Sequence, residues 1–125
     1  SLIGSSLYTN LGTTDKQVFA MKLQGNYNYT IDNNTVTNIS GTSSKAVEVM
    51  PGYATITNNN FTRELWLSGN YNIVKNNNIT TTDDIYAINL TGSNSNVTDN
   101  YLEATAYTGN DAVNYTDKTN LIINY

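Results

Sequence analysis

Apolar residues in this chain come in short alternating runs instead of helical stripes. Met21 and Leu23, Val47 and Val49, Leu65 and Leu67, Ile88 and Leu90, and Val113 and Tyr115 flank single residues: Lys22, Glu48, Trp66, Asn89 and Asn114. Period-two patterning in runs this short, bounded by glycine and asparagine, predicts strands with the flanking pairs inward and the single residues outward. In the second run Met50 breaks the alternation ahead of Pro51, which predicts a bulge or widened turn there.

A second pattern follows each run. Aligned on an apolar anchor, five segments superpose: Ile31-Asp32-Asn33-Asn34, Ile56-Thr57-Asn58-Asn59, Val74-Lys75-Asn76-Asn77, Val97-Thr98-Asp99-Asn100 and Leu121-Ile122-Ile123-Asn124. Two residues beyond the last Asn stands Val36, Phe61, Ile79 or Leu102, and the anchors lie 25, 18, 23 and 24 residues apart. Each copy reads as strand, Gly-marked turn, strand, Asn-marked turn, short strand. So short a unit cannot close a core alone, but stacked copies bury one continuous apolar column. The expected fold is an all-β parallel β-helix, a β-solenoid of about five coils forming one domain over residues 1–125. Residues 1–17 would supply a partial first coil through Ile3 and Leu7, or else an N-terminal segment, and 18–125 the repeats. Asn34, Asn59, Asn77, Asn100 and Asn124 would form an inward amide ladder, each in a corner needing a left-handed backbone, which Asn tolerates.

The pattern of an apolar residue, two polar residues, Asn, any residue and an apolar residue resembles the right-handed parallel β-helix repeat of the pectate-lyase-like superfamily. The Asn-, Thr- and Tyr-rich wording, as in NNNI and DNNTV, resembles the adhesin-like surface proteins of methanogenic archaea. The resemblance covers residues 18–125. It implies a right-handed coil and an extracellular, cell-surface setting, and it fixes no single activity, because this scaffold serves many.

Composition sharpens the functional expectation. The chain holds no Cys and no His, so thiol chemistry, Cys-based metal sites and the commonest general base are excluded. A net charge of −4 argues against nucleic acid as a partner, and no apolar run is long enough to span a membrane. Acidic residues are scattered, with only Asp83 and Asp84 adjacent, and the fitting interpretation of Lys22 near Glu48, and of Lys75 near Asp32 and Asp99, is a cross-coil ion pair. No catalytic residue, metal site or cofactor is expected; the alternative is a polysaccharide-active enzyme or carbohydrate-binding module, of which the enzyme would be favoured by an acidic cluster aligned in a cleft. The candidate binding face is Trp66 with Glu48 and Asn89, an outward aromatic among amides and acids suited to a sugar or protein surface. Tyr27, Tyr29, Tyr53 and Tyr71 fall in the turn before an anchor, where they would cap the apolar column or else form an aromatic edge. Thr-x-Thr triplets at Thr35, Thr55 and Thr80 fall out of phase with the repeat, so they cannot form the flat array that ice binding needs.

Asn28, Asn33, Asn38, Asn60, Asn78, Asn89, Asn96 and Asn114 each stand two before Ser or Thr, as N-glycosylation acceptors do. Neither end of the sequence carries an amphipathic helix to cover an open sheet edge. The expected partners are therefore neighbouring solenoid segments or other copies of the chain, in the latter case as a filament or sheath subunit, together with cell-surface glycans. The resulting expectation is a non-catalytic structural or adhesive surface module.

Overall fold

The computed structural model describes residues 2–3, 6–8, 19–25, 28–37, 45–50, 52–82, 84–115 and 122–124. The first strands in chain order are β1 (Leu2–Ile3), β2 (Ser6–Tyr8), β3 (Phe19–Leu23), β4 (Thr30–Asp32), β5 (Thr35–Thr37) and β6 (Lys45–Val49). There follow β7 (Thr55–Thr57), β8 (Asn60–Phe61), β9 (Leu65–Leu67), β10 (Ile73–Lys75) and β11 (Asn78–Thr80). The last are β12 (Ile88–Leu90), β13 (Asn96–Thr98), β14 (Tyr101–Glu103), β15 (Val113–Tyr115) and β16 (Ile122–Asn124), with a 3-10 turn at Gly109–Ala112.

Every third strand pairs in parallel, giving three sheets ordered β1-β4-β7-β10-β13-β16, β2-β5-β8-β11-β14 and β3-β6-β9-β12-β15. The molecule is a parallel β-solenoid. Four coils carry all three strands, from β3-β4-β5 to β12-β13-β14, and partial coils flank them, slightly fewer than the five repeats suggest.

The inward residues stack as the alternation requires. Ile31, Ile56, Val74 and Val97 form one column, Val36, Phe61, Ile79 and Leu102 a second, and Val47, Leu65, Ile88 and Val113 a third, all buried. Each contributes roughly 1.5–3 kcal/mol by leaving water. Met21 and Leu23 pack against this core half-buried, while Tyr115 keeps register with Leu90 yet stays exposed.

The corner between the first two sheets holds the amide ladder. Asn34 donates from its backbone N and its Nδ2 to Asn59 Oδ1 (2.9 and 3.0 Å), Asn59 does so to Asn77 (2.9 and 2.9 Å), and Asn77 to Asn100 (2.8 and 3.0 Å). Second Nδ2 bonds run back to carbonyls of the preceding coil: Asn59 to Ile31, Asn77 to Ile56 and Asn100 to Val74. Four of the five expected members are therefore in place.

Asn124 is not one of them. Register puts Ile123 opposite Val97 and Asn124 opposite Thr98, so the fifth anchor is Ile123 and not Leu121, and Asn124 is exposed. The left-handed backbone also belongs elsewhere: Asn33, Asn58, Asn76 and Asp99 have φ between 55 and 57°, one residue before each ladder Asn. The corner thus divides its tasks between a residue that turns the chain and a residue that ties coils together.

The turn after the third sheet differs from expectation too. Met50 N bonds Leu23 O as Ser68 N bonds Val49 O, and Tyr53 N bonds Asn70 O as Tyr71 N bonds Ser93 O. The second coil therefore keeps the spacing of the next one, with no extra residue; Pro51 itself lies outside the described residues. The coils approach closely here: a Cβ on Gly92 would fall 2.0 Å from Gly69 O, and one on Gly52 would fall 2.4 Å from Asn70 O. Tyr53 and Tyr71 do not cap the column. They sit at left-handed φ of 60 and 59°, exposed, with rings stacked at 5.0 Å, while Tyr29 packs against the core and donates to Gln24 O; Tyr27 lies outside the described residues.

Candidate functional site

The outward row of the third sheet is the one the alternation predicts: Lys22, Glu48, Trp66, Asn89 and Asn114 occupy successive positions across β3, β6, β9, β12 and β15. Lys22 pairs with Glu48 at 2.9 Å, and Glu48 is buried. Trp66 is half-buried, with Lys45 Nζ over its ring at 5.7 Å and a buried Nε1–H that has no hydrogen-bond partner. Its ring is therefore not an open platform. Of the three residues expected on a binding face, Asn89 lines the cavity over β12 and β15, and Glu48 and Trp66 are not in its lining.

That cavity is a cleft over β12 and β15 made of two adjoining hollows that share Tyr86 and Asn114 in their linings. One half, about 330 Å3, is lined by Lys45, Glu64, Asp84, Ile85, Tyr86, Asn89 and Asn114. The other, about 430 Å3, adds Tyr107, Asn110, Asp111 and Tyr115. Both volumes fall in the range of small-ligand sites.

The turns leading into the third sheet build the walls. Phe61 to Leu65 spans four residues, but Ile79 to Ile88 spans nine and Leu102 to Val113 eleven. In the longest turn Ala104 N bonds Tyr107 O at 2.8 Å, a bridge joins Glu103 to Thr108, and Thr105 N reaches Asp84 O at 3.0 Å. The result sets Tyr107 flat against Tyr86, ring centroids 5.1 Å apart at 10°. The sequence reading missed Tyr86, Tyr107, Asn110 and Asp111; the lengthening turns were the signal that marks them.

Lys45, Glu64 and Asp84 in the wall of the cleft belong, with Arg63, to a charge cluster that the scattered acids did not foretell. Asp84 accepts from Arg63 Nε (3.0 Å), Arg63 Nη2 (3.2 Å), Glu64 N (2.9 Å) and Thr81 Oγ1 (2.9 Å). Glu64 binds Lys45, which also lies 3.7 Å from Asp84 Oδ1, and takes a hydrogen bond from Asn89. Burial pushes the Glu64 carboxyl up, and the Asp84 charge adds to this against the opposing Lys45. Burial acts on Asp84 in the same sense, but Arg63, the Glu64 N–H and Thr81 outweigh it and hold its carboxyl below the usual range.

These contacts bear on chemistry. A glycosidase-type pair needs one carboxyl free to give a proton and another free to attack or activate water. Asp84 spends its lone pairs on four donors, and Glu64 is clamped by Lys45 and Asn89. Among the described residues no three acidic side chains converge as a metal site would require.

The other outward positions are simpler. Lys75 pairs with Asp99 at 3.6 Å, whereas Asp32 sits a coil further off and accepts from Thr57 Oγ1 and Asn58 Nδ2. Of the sequon residues, Asn28, Asn33, Asn60, Asn78 and Asn96 are exposed, Asn89 and Asn114 line the cleft half-buried, and Asn38 lies outside the described residues. Among the described residues no helix is long and apolar enough to cross a membrane. Compared with known proteins, the chain matches no family model, no curated protein and no solved structure.

Proposed function

We propose that this chain is a non-catalytic structural and adhesive module of an extracellular, cell-surface protein, and that the cleft over β12 and β15 is where it holds a glycan. The observation that carries this reading is the cleft's lining: a stacked tyrosine pair and outward amides, beside Asp84 and Glu64 that are held by internal donors. Aromatic surface with amide donors and acceptors suits a pyranose, which offers C–H faces and hydroxyls together. The motif resemblance to pectate-lyase-like β-helices, and to adhesin-like proteins of methanogenic archaea, supports the surface setting, as do five exposed sequons. A glycan microarray paired with an assay for newly released reducing ends tests it. Binding lost in Tyr107→Ala, without release of reducing ends, is the expected result; turnover of any bound glycan would make the chain an enzyme, and an empty array would remove the adhesive reading.

A second reading is favoured by β14, β15 and β16, which among the described residues stand last in the three parallel sheets. Such edge strands accept a further coil, from a neighbouring solenoid segment or another copy. Electron microscopy across a concentration series separates the two: fibres of constant width support self-assembly, and monodisperse particles at every concentration oppose it.

A further inference from the structure

The two halves of the cleft differ in charge, and the difference speaks to the ligand. On the side of Lys45 every formal charge is answered within the protein, by Glu64 and Asp84 for Lys45 and by Asp84 for Arg63. The other half is lined by Tyr86, Tyr107, Asn110, Asp111, Asn114 and Tyr115 over apolar Val113 and Ile123, with no basic residue in its lining among the described residues. Asp111 is exposed there, and no cation among the described residues pairs with it: Lys22 is held by Glu48, Lys45 by Glu64, Arg63 by Asp84 and Lys75 by Asp99. A carboxylate beside phenol rings, in a chain of net charge −4, is an environment that attracts a cation and repels an anion.

Resting on the glycan reading above, we propose that this half of the cleft receives the free ammonium group of an amino sugar, so that the module prefers a saccharide with unacetylated amines over neutral or acidic ones. The ammonium would sit between Asp111 and the rings of Tyr107 and Tyr115, and the pyranose would extend over Tyr86 toward Asn89 and Asn114. Hexuronates are disfavoured because, among the described residues, the bases near the cleft, Lys45 and Arg63, are already engaged.

The test is calorimetric titration of the full chain with three oligosaccharides of equal length: glucosamine, N-acetylglucosamine and glucose oligomers, at slightly acidic pH and low salt. The glucosamine oligomer is expected to bind tightest. Its advantage should shrink about three- to five-fold in Asp111→Asn and on raising salt, as an exposed charge contact does, while Tyr107→Ala should weaken all three. Asp111 is exposed, so the Asn variant keeps the fold, which circular dichroism verifies. Equal binding of the three oligomers, or a preference untouched by Asp111→Asn, overturns the inference while leaving the glycan site standing. Binding of none overturns both.

Discussion

Three consecutive asparagines at 58, 59 and 60 do three different jobs. Asn58 takes the left-handed turn at φ 56°, Asn59 is buried in the ladder, and Asn60 opens β8 with its side chain outward. The sequence pattern exposed the ladder but could not assign the turn to the right neighbour, since Asn suits both tasks and only the backbone distinguishes them. Nor could it detect that the fifth copy is displaced: Leu121-Ile122-Ile123 offers three apolar candidates for one anchor, and pairing chose Ile123. Replacing Asn59 by Ala leaves Asn34 N and Ile31 O without their partners and should cost about 2–4 kcal/mol. Asn124→Ala, outside the ladder, should stay within about 0.5 kcal/mol. Urea denaturation of both variants checks the assignment; equal losses would restore Asn124 to the ladder.

At the scale of elements, the strands were legible and the turns were not. A strand five residues long or shorter shows its inward face by alternation alone, whereas the turns at 81–87 and 104–112 follow no repeat and are shaped by contacts from other coils. The Asp84 cluster illustrates this: Arg63 and Glu64 come from one turn, Asp84 from the next coil and Lys45 from the coil below. Its linkage to pH has two opposed parts. Glu64 titrates above its ordinary 4.5 in the folded state, so the fold binds that proton more tightly and loses stability as pH rises from 4.5 toward the folded value. Asp84 titrates below 3.8, so its contribution is present above 3.8 and is lost as pH falls below it. Asp84→Asn should therefore lower stability at neutral pH by about 3 kcal/mol and flatten the loss below pH 3.8; thermal melts at several pH values would show an unchanged acid slope if Asp84 were not responsible. The closest coil contact makes a separate case. Gly92→Ala places a methyl against the Gly69 carbonyl, where backbone must move, and should cost about 1–3 kcal/mol; a melting temperature equal to the parent would mean the turn yields freely.

For the whole molecule, the repeat determined nearly everything about architecture: three apolar columns, a ladder at one corner and an outward row on the third sheet all follow from spacing. A shorter ladder at the opposite corner, Ala54 N to Asn72 Oδ1 at 3.0 Å and Asn72 N to Ser95 Oγ at 3.2 Å, was hidden because Ala, Asn and Ser share no residue type. The proposed adhesive site was only half visible, through Asn89, since its walls come from the least repetitive segments. That site is the central claim, and amide NMR of the labelled full chain with the best-binding saccharide tests it most directly. The account predicts shifts gathered at Glu64, at 84–89 and at 107–115. Shifts centred on the exposed Tyr53 and Tyr71 edge, or spread evenly over the solenoid, would contradict it.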